Sequence, residues 1–113
     1  MTRIAGLALL VLALFVFAPG AAQAATCKPP KYPGSGYFTA LKVTGVSCTT
    51  GKAVTLAFHK CRIKNGIKGR CTSRVRGYRC TEGKRYSIAT EFNARVTCRS
   101  GSRKVEFTYQ QNT

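Results

Sequence analysis

Residues 92–110 read FNARVTCRSGSRKVEFTYQ. Apolar and polar side chains alternate on both sides of Gly101-Ser102, the pattern of two strands with one dry face each. In 92–99, Phe92, Ala94, Val96 and Cys98 share one face, and Asn93, Arg95, Thr97 and Arg99 share the other. In 104–110, Val105, Phe107 and Tyr109 oppose Lys104, Glu106, Thr108 and Gln110. A two-residue turn centred on Gly101-Ser102, a suitable pair for type II′, sets Cys98 opposite Val105, Val96 opposite Phe107 and Ala94 opposite Tyr109. The apolar faces then coincide, and a slip of one residue would break every pair. In this register Arg99 lies opposite Lys104, a mildly destabilising like-charge pair that an anionic partner would relieve.

Upstream, residues 72–81 (TSRVRGYRCT) suggest a strand through Val75 and Tyr78, broken at Gly77 in the manner of a bulge. Residues 82–90 read as a connecting loop. Residues 37–46 (YFTALKVTGV) alternate around Leu41 and Val43, with Lys42 and Thr44 opposite, and form another strand. Between them, residues 47–62 (SCTTGKAVTLAFHKCR) place Ala53, Val54, Ala57, Phe58 and Cys61 on one helical stripe, with Lys52, Thr55, His59 and Arg62 on a polar face. Ser47, Thr49 or Thr50 can cap the helix start, Lys60 and Arg62 complement its dipole, and Asn65-Gly66 stops it. The expected fold is α+β: one helix packed on a small antiparallel sheet of about four strands, stapled by disulfides.

The first 24 residues are set apart. A charged head at Arg3, an apolar run over 4–17, a break at Pro19-Gly20 and a small-x-small site at Ala22-Gln23-Ala24 describe a secretory signal peptide cleaved after Ala24. The run is short for a membrane span. Residues 25–36 (ATCKPPKYPGSG) read as a Pro/Gly-rich lead-in, and 37–113 as a single disulfide-stabilised domain. All six cysteines follow the leader, an even count that reads as a disulfide framework in a small exported chain. Cys61 on the helix and Cys71 ten residues past it suggest one local bridge. Cys27, Cys48, Cys80 and Cys98 then form two bridges, with three pairings open. A single histidine and the absence of any C-x2-C pair make zinc a poor fit, and no cofactor or metal is expected.

Nineteen Lys and Arg, one of them Arg3, face only Glu82, Glu91 and Glu106. A formal net charge of +16 attracts anionic polymers and surfaces. Two clusters are the candidate contacts: Lys60, Arg62, Lys64, Lys68 and Arg70 around the 61–71 loop, and Arg95, Arg99 and Lys104 on the hairpin. The faces of Arg74, Arg76, Arg79, Lys84 and Arg85 are open. No residue is assigned a catalytic role. His59 on the polar face, with Glu91 or Glu106 and Arg95, is the one set that acid–base chemistry of a ribonuclease type would use. The absence of Asp excludes a Ser-His-Asp triad.

GVSCTTGKAV, GRC, VRGYRC and FNARVTCRSGSRKVEFTYQQ together resemble a group of short exported actinobacterial proteins of uncharacterised function. The resemblance spans about residues 37–110. A weaker likeness, through the Ser-Cys helix and the last hairpin, is to extracellular sensor-type domains of mycobacterial membrane kinases, which implies ligand binding at the envelope. This chain shows no kinase segment, so signalling does not carry over, and the group brings no catalytic residues. The expected function is a secreted, non-enzymatic binding or structural module at or outside the cell envelope, with an anionic polymer or envelope surface as partner. The alternatives are a small ribonuclease-like hydrolase, and a protease inhibitor or cationic antimicrobial protein.

Overall fold

The hairpin organises the molecule. The structure, a computed structural model, describes residues 23–113; the expected leader falls almost wholly outside the described residues. The long strands Glu91–Ser100 and Arg103–Asn112 pair antiparallel with Cys98 opposite Val105, Val96 opposite Phe107, Ala94 opposite Tyr109 and Arg99 opposite Lys104. Gly101 turns the chain at φ +58, a value that needs no Cβ to be accommodated.

In chain order the elements are β1 (Ala24–Thr26), β2 (Gly36–Thr44), α1 (Cys48–Ile63), β3 (Arg79–Glu82), β4 (Tyr86–Ile88), β5 (Glu91–Ser100) and β6 (Arg103–Asn112). The sheet therefore has six strands rather than about four, ordered β1-β2-β6-β5-β3, with β4 also on β5. The two additional strands are only three residues long, below the length at which alternation is readable. The expected cleavage point after Ala24 falls within β1, whose Ala25 and Thr26 pair with Val43 and Lys42.

Two local departures matter. In β2 the register shifts between Thr39 and Lys42, and Ala40 takes φ +54. This bulge lets Phe38, Leu41 and Val43 all face inward, which strict alternation forbids. Val75 and Tyr78 do not lie along one strand: they exchange both backbone hydrogen bonds (2.9 and 2.8 Å) across a tight turn. Arg76 and Gly77 form its centre, both with positive φ, as a type I′ turn requires. β3 begins only after it.

α1 covers one face of the sheet. Ser47 caps its start, the hydroxyl accepting from the Thr50 N–H at 3.2 Å. Its buried residues are Gly51, Val54, Thr55, Phe58, His59 and Arg62. The inward face is thus turned about a quarter of a rotation from the expected stripe, and takes in three of the four residues of the expected polar face. The reason is what each side chain finds there. Thr55 donates to the Gly51 carbonyl at 2.8 Å, His59 stacks edge-on to Tyr32, and Arg62 finds three oxygen acceptors. Ala53 and Ala57 are too small to dictate the orientation. The core beneath the helix holds Leu41, Val43, Val54, Phe58, Phe92, Val96, Val105, Phe107 and Tyr109, each large side chain contributing about 1.5–3 kcal/mol on burial.

The disulfides are Cys61–Cys71, as the spacing suggests, with Cys27–Cys48 and Cys80–Cys98 completing the set. Cys27–Cys48 ties residues 25–36 to the helix start, and Tyr32 of that segment is buried in the core.

Candidate anion-binding surface

The 61–71 loop is held rigid by more than its disulfide. Asn65 Nδ2 donates to the Arg70 carbonyl at 2.7 Å. The Arg62 guanidinium reaches back to the Ile67 carbonyl. Arg85, from beyond β3, donates to the carbonyls of Lys68 and Gly69, both at 2.7 Å. Lys64 and Lys68 are exposed on this fixed frame.

Arg62, expected among the anion contacts, is instead fully buried. Its NH2 donates to Gln111 Oε1 at 2.7 Å and to the Tyr32 hydroxyl at 3.0 Å, and its guanidinium carbon lies 4.5 Å from the centroid of the Tyr109 ring. No carboxylate pairs with it among the described residues, and Nε is buried without a partner. Arg62 therefore joins α1, the lead-in segment, β6 and the loop. It offers nothing to an external ligand. A planar guanidinium suits this place because it can stack on an aromatic ring while its edge donates in several directions.

His59 is corrected in the same way. It is buried rather than exposed, packed against Tyr32 and Phe38 with ring centroids 4.7 and 6.0 Å away. Burial and the neighbouring Arg62 charge hold its pKa below the ordinary imidazole value, against a hydrogen bond with the Pro33 backbone. Glu91, Arg95 and Glu106 alternate with buried residues on β5 and β6, so they lie on the opposite face of the sheet from α1. The sheet separates them from His59, and the ribonuclease-like set does not assemble.

That opposite face is polar and carries the second basic cluster. Arg79 of β3 pairs with Arg99 of β5, which pairs with Lys104 of β6. Three cations thus stand side by side across three strands, about 5 Å apart at each step. Lys104 is partly neutralised by Glu106 at 3.6 Å; Arg79 and Arg99 have no carboxylate partner among the described residues. Arg95 lies on the same face, away from this row.

Two shallow depressions lead from this row to the loop. One, of about 340 Å³, is lined by Lys60, Lys64 and Arg74 beside the Cys61–Cys71 bridge. The next, of about 370 Å³, shares Thr72, Ser73 and Arg74 with it and adds Arg79. Lys60, Lys64 and Arg74 thus share the first depression, Arg74 shares the second with Arg79 on the edge strand β3, and from Arg79 the row runs onto the opposite face of the sheet through Arg99 and Lys104. Lys68 and Arg70 line neither depression, and Arg70 leans toward Glu82 at 3.9 Å. The linking residues Arg74 and Arg79 were open in the sequence. One signal was present for Arg79: it neighbours Cys80 on a strand, and successive strand residues point to opposite faces.

Among the described residues, Glu106 is the one acid that forms an ion pair with the cations of the depressions and the row, through Lys104. Glu82 is nearly buried and hydrogen-bonded by Arg85 and by the Tyr109 hydroxyl. Burial alone would raise its pKa, but these hydrogen bonds and the Arg85 and Arg70 charges outweigh it, and the carboxyl sits below its usual value. Comparison with protein-family models, curated proteins and solved structures finds no match.

Proposed function

We propose that the chain is a secreted, non-catalytic binding module that engages an anionic polymer or surface along the band from Lys60 and Lys64 through Arg74 and Arg79 to Arg99 and Lys104. The observation that carries this reading is the cross-strand row Arg79–Arg99–Lys104. Neighbouring like charges on a sheet repel, and in this chain most of the repulsion is left uncompensated. A polyanion laid across the row would convert that cost into binding energy. Three disulfides suit an extracellular setting, and no helix among the described residues is long and apolar enough to cross a membrane.

The test uses the oxidised protein against heparin, RNA, anionic vesicles and purified wall polymer at about 0.1 and 0.5 M salt. Tight binding to one class, lost at the higher salt and weakened by Arg79→Glu or Lys64→Glu, supports the reading. Affinity that survives the higher salt, or that ignores both reversals, overturns it.

A further inference from the structure

At the other end of the same sheet face the chemistry changes. Tyr37 of β2 pairs with Gln110 of β6, Gln110 with Asn93 of β5, and Asn93 with Tyr86 of β4. Two tyrosines thus bracket two amides in a single row across four strands. Three strand spacings separate the tyrosines, about 14 Å. Both rings are largely exposed, at 54% and 64%. Tyrosine is enriched at contact surfaces because its ring is apolar and its hydroxyl polar.

Depressions lie on both sides of Glu91. One, of about 540 Å³, is lined by Tyr37, Thr90, Glu91, Gln110 and Asn112. The other, of about 450 Å³, is lined by Lys84, Arg85, Tyr86, Ile88, Glu91 and Asn93, with the Lys84 ammonium over one face of the Tyr86 ring, 5.6 Å from its centroid, which leaves the other face for a ligand. Both are open dips rather than enclosed cavities, so a ligand would lie across them instead of being buried. Gln110 Nε2 turns to Asn112 Oδ1 at 3.3 Å, which leaves its Oε1 open, and the Asn93 amide makes no side-chain hydrogen bond among the described residues.

We propose that this row is a glycan-binding platform on which two separated sugar rings of one saccharide chain stack against Tyr37 and Tyr86. The CH face of a pyranose is a flat apolar surface that matches an exposed ring. The hydroxyls between the two stacked units meet donors and acceptors in the Asn93 and Gln110 amides and acceptors in the Glu91 carboxylate. Single-stranded nucleic acid fits less well. Successive stacked bases want aromatics on adjacent positions, and here two amide strands intervene. The Glu91 carboxylate shared by both depressions accepts hydrogen bonds from sugar hydroxyls. This site uses none of the basic band, so it stands or falls independently of the polyanion reading. If both hold, the ligand is an acidic polysaccharide running from the tyrosine row toward Arg79, Arg99 and Lys104.

The experiment titrates the oxidised full domain with cellohexaose, chitohexaose, laminarihexaose, mannohexaose and a linear arabinan oligomer in about 0.5 M NaCl, which suppresses exposed-charge contacts. Amide and side-chain NMR shifts locate the contact. At least one uncharged probe is expected to shift Asn93, Gln110, Tyr37 and Tyr86 while leaving Arg79 and Arg99 unmoved. Tyr37→Ala and Tyr86→Ala should each weaken that binding about 10-fold or more, and Tyr37→Phe, which keeps the ring, less than about 3-fold. Unchanged thermal unfolding of these surface variants excludes misfolding as the cause. Absence of binding by every uncharged probe at about 10 mM overturns the platform, even if heparin still binds at low salt. So does poly(U) shifting the tyrosine row in the same high salt.

Discussion

Arg62 should behave as a lock whose shape matters more than its charge. Truncation to Ala removes hydrogen bonds to Tyr32, Gln111 and the Ile67 carbonyl, and empties the space over the Tyr109 ring. Large-to-small changes in a core cost about 2–5 kcal/mol, and each lost hydrogen bond from a charged donor about 1.5–3. Part of that is recovered. The Tyr32 hydroxyl still donates to Gln111 Oε1, the Ile67 carbonyl belongs to an exposed residue that water can reach, and an unpaired guanidinium no longer needs to be desolvated. The net expectation is about 3 kcal/mol for Arg62→Ala. Arg62→Met fills the same space without a charge and should cost about 1 kcal/mol or less. Urea unfolding of the disulfide-intact protein reads both, with amide exchange over residues 64–70 as the local report. Exchange there should rise in both variants, because both lose the bond to Ile67. An Ala variant within about 1 kcal/mol of the parent, or a Met variant as damaged as the Ala one, would refute the reasoning.

Stability should fall on both sides of neutral pH. His59 sits below its ordinary value of 6.5, so below that pH the unfolded chain takes a proton the folded chain resists, and stability declines as pH drops. Glu82, held below 4.5, adds its own loss as pH falls further. Tyr109 is raised above 10.0, chiefly by burial, so the folded state holds its proton where the unfolded state releases it; stability present below pH 10 is lost above it. Thermal unfolding across pH 3–11 checks the three trends, and His59→Gln should flatten the slope below pH 6.5. Gly51→Ala, which would raise helix propensity in isolation, should instead destabilise by about 1–3 kcal/mol in urea, because the added Cβ collides with the Val43 side chain. Ala40→Gly should stabilise by up to about 1 kcal/mol in the same assay, since Ala40 holds φ +54 at the bulge.

The parts of this fold that were legible are those where one local rule has no competitor. The β5–β6 register follows from unbroken alternation around a Gly-Ser turn, and every expected pair is present. The Cys61–Cys71 bridge follows from a short loop at a helix end. The helix face was not legible, because polarity misled: Thr55, His59 and Arg62 are buried and individually satisfied, while the alanines that completed the apolar stripe carry little hydrophobic weight. The β2 bulge was hidden because an alanine occupies the positive-φ position where glycine would have signalled it. The Arg76-Gly77 turn was half legible: Gly77 signalled a break, but the arginine at the other positive-φ position hid that the break is a turn rather than a bulge. Of the candidate anion contacts, Arg62 is buried, Lys60 and Lys64 line the depression beside the loop, and Arg99 and Lys104 stand in the cross-strand row. The linking Arg79 depends on where β3 starts, and that depends on the turn.

The central claim, that one continuous basic band holds an anionic polymer, is tested most directly by the salt dependence of heparin affinity. Six cations on the band predict a slope of log K against log salt of about −4. Arg79→Gln, at the join, should flatten it by somewhat less than one unit, and Arg62→Met, in the core, should leave it unchanged. A slope near zero, or one that Arg62→Met alters and Arg79→Gln does not, would contradict the account.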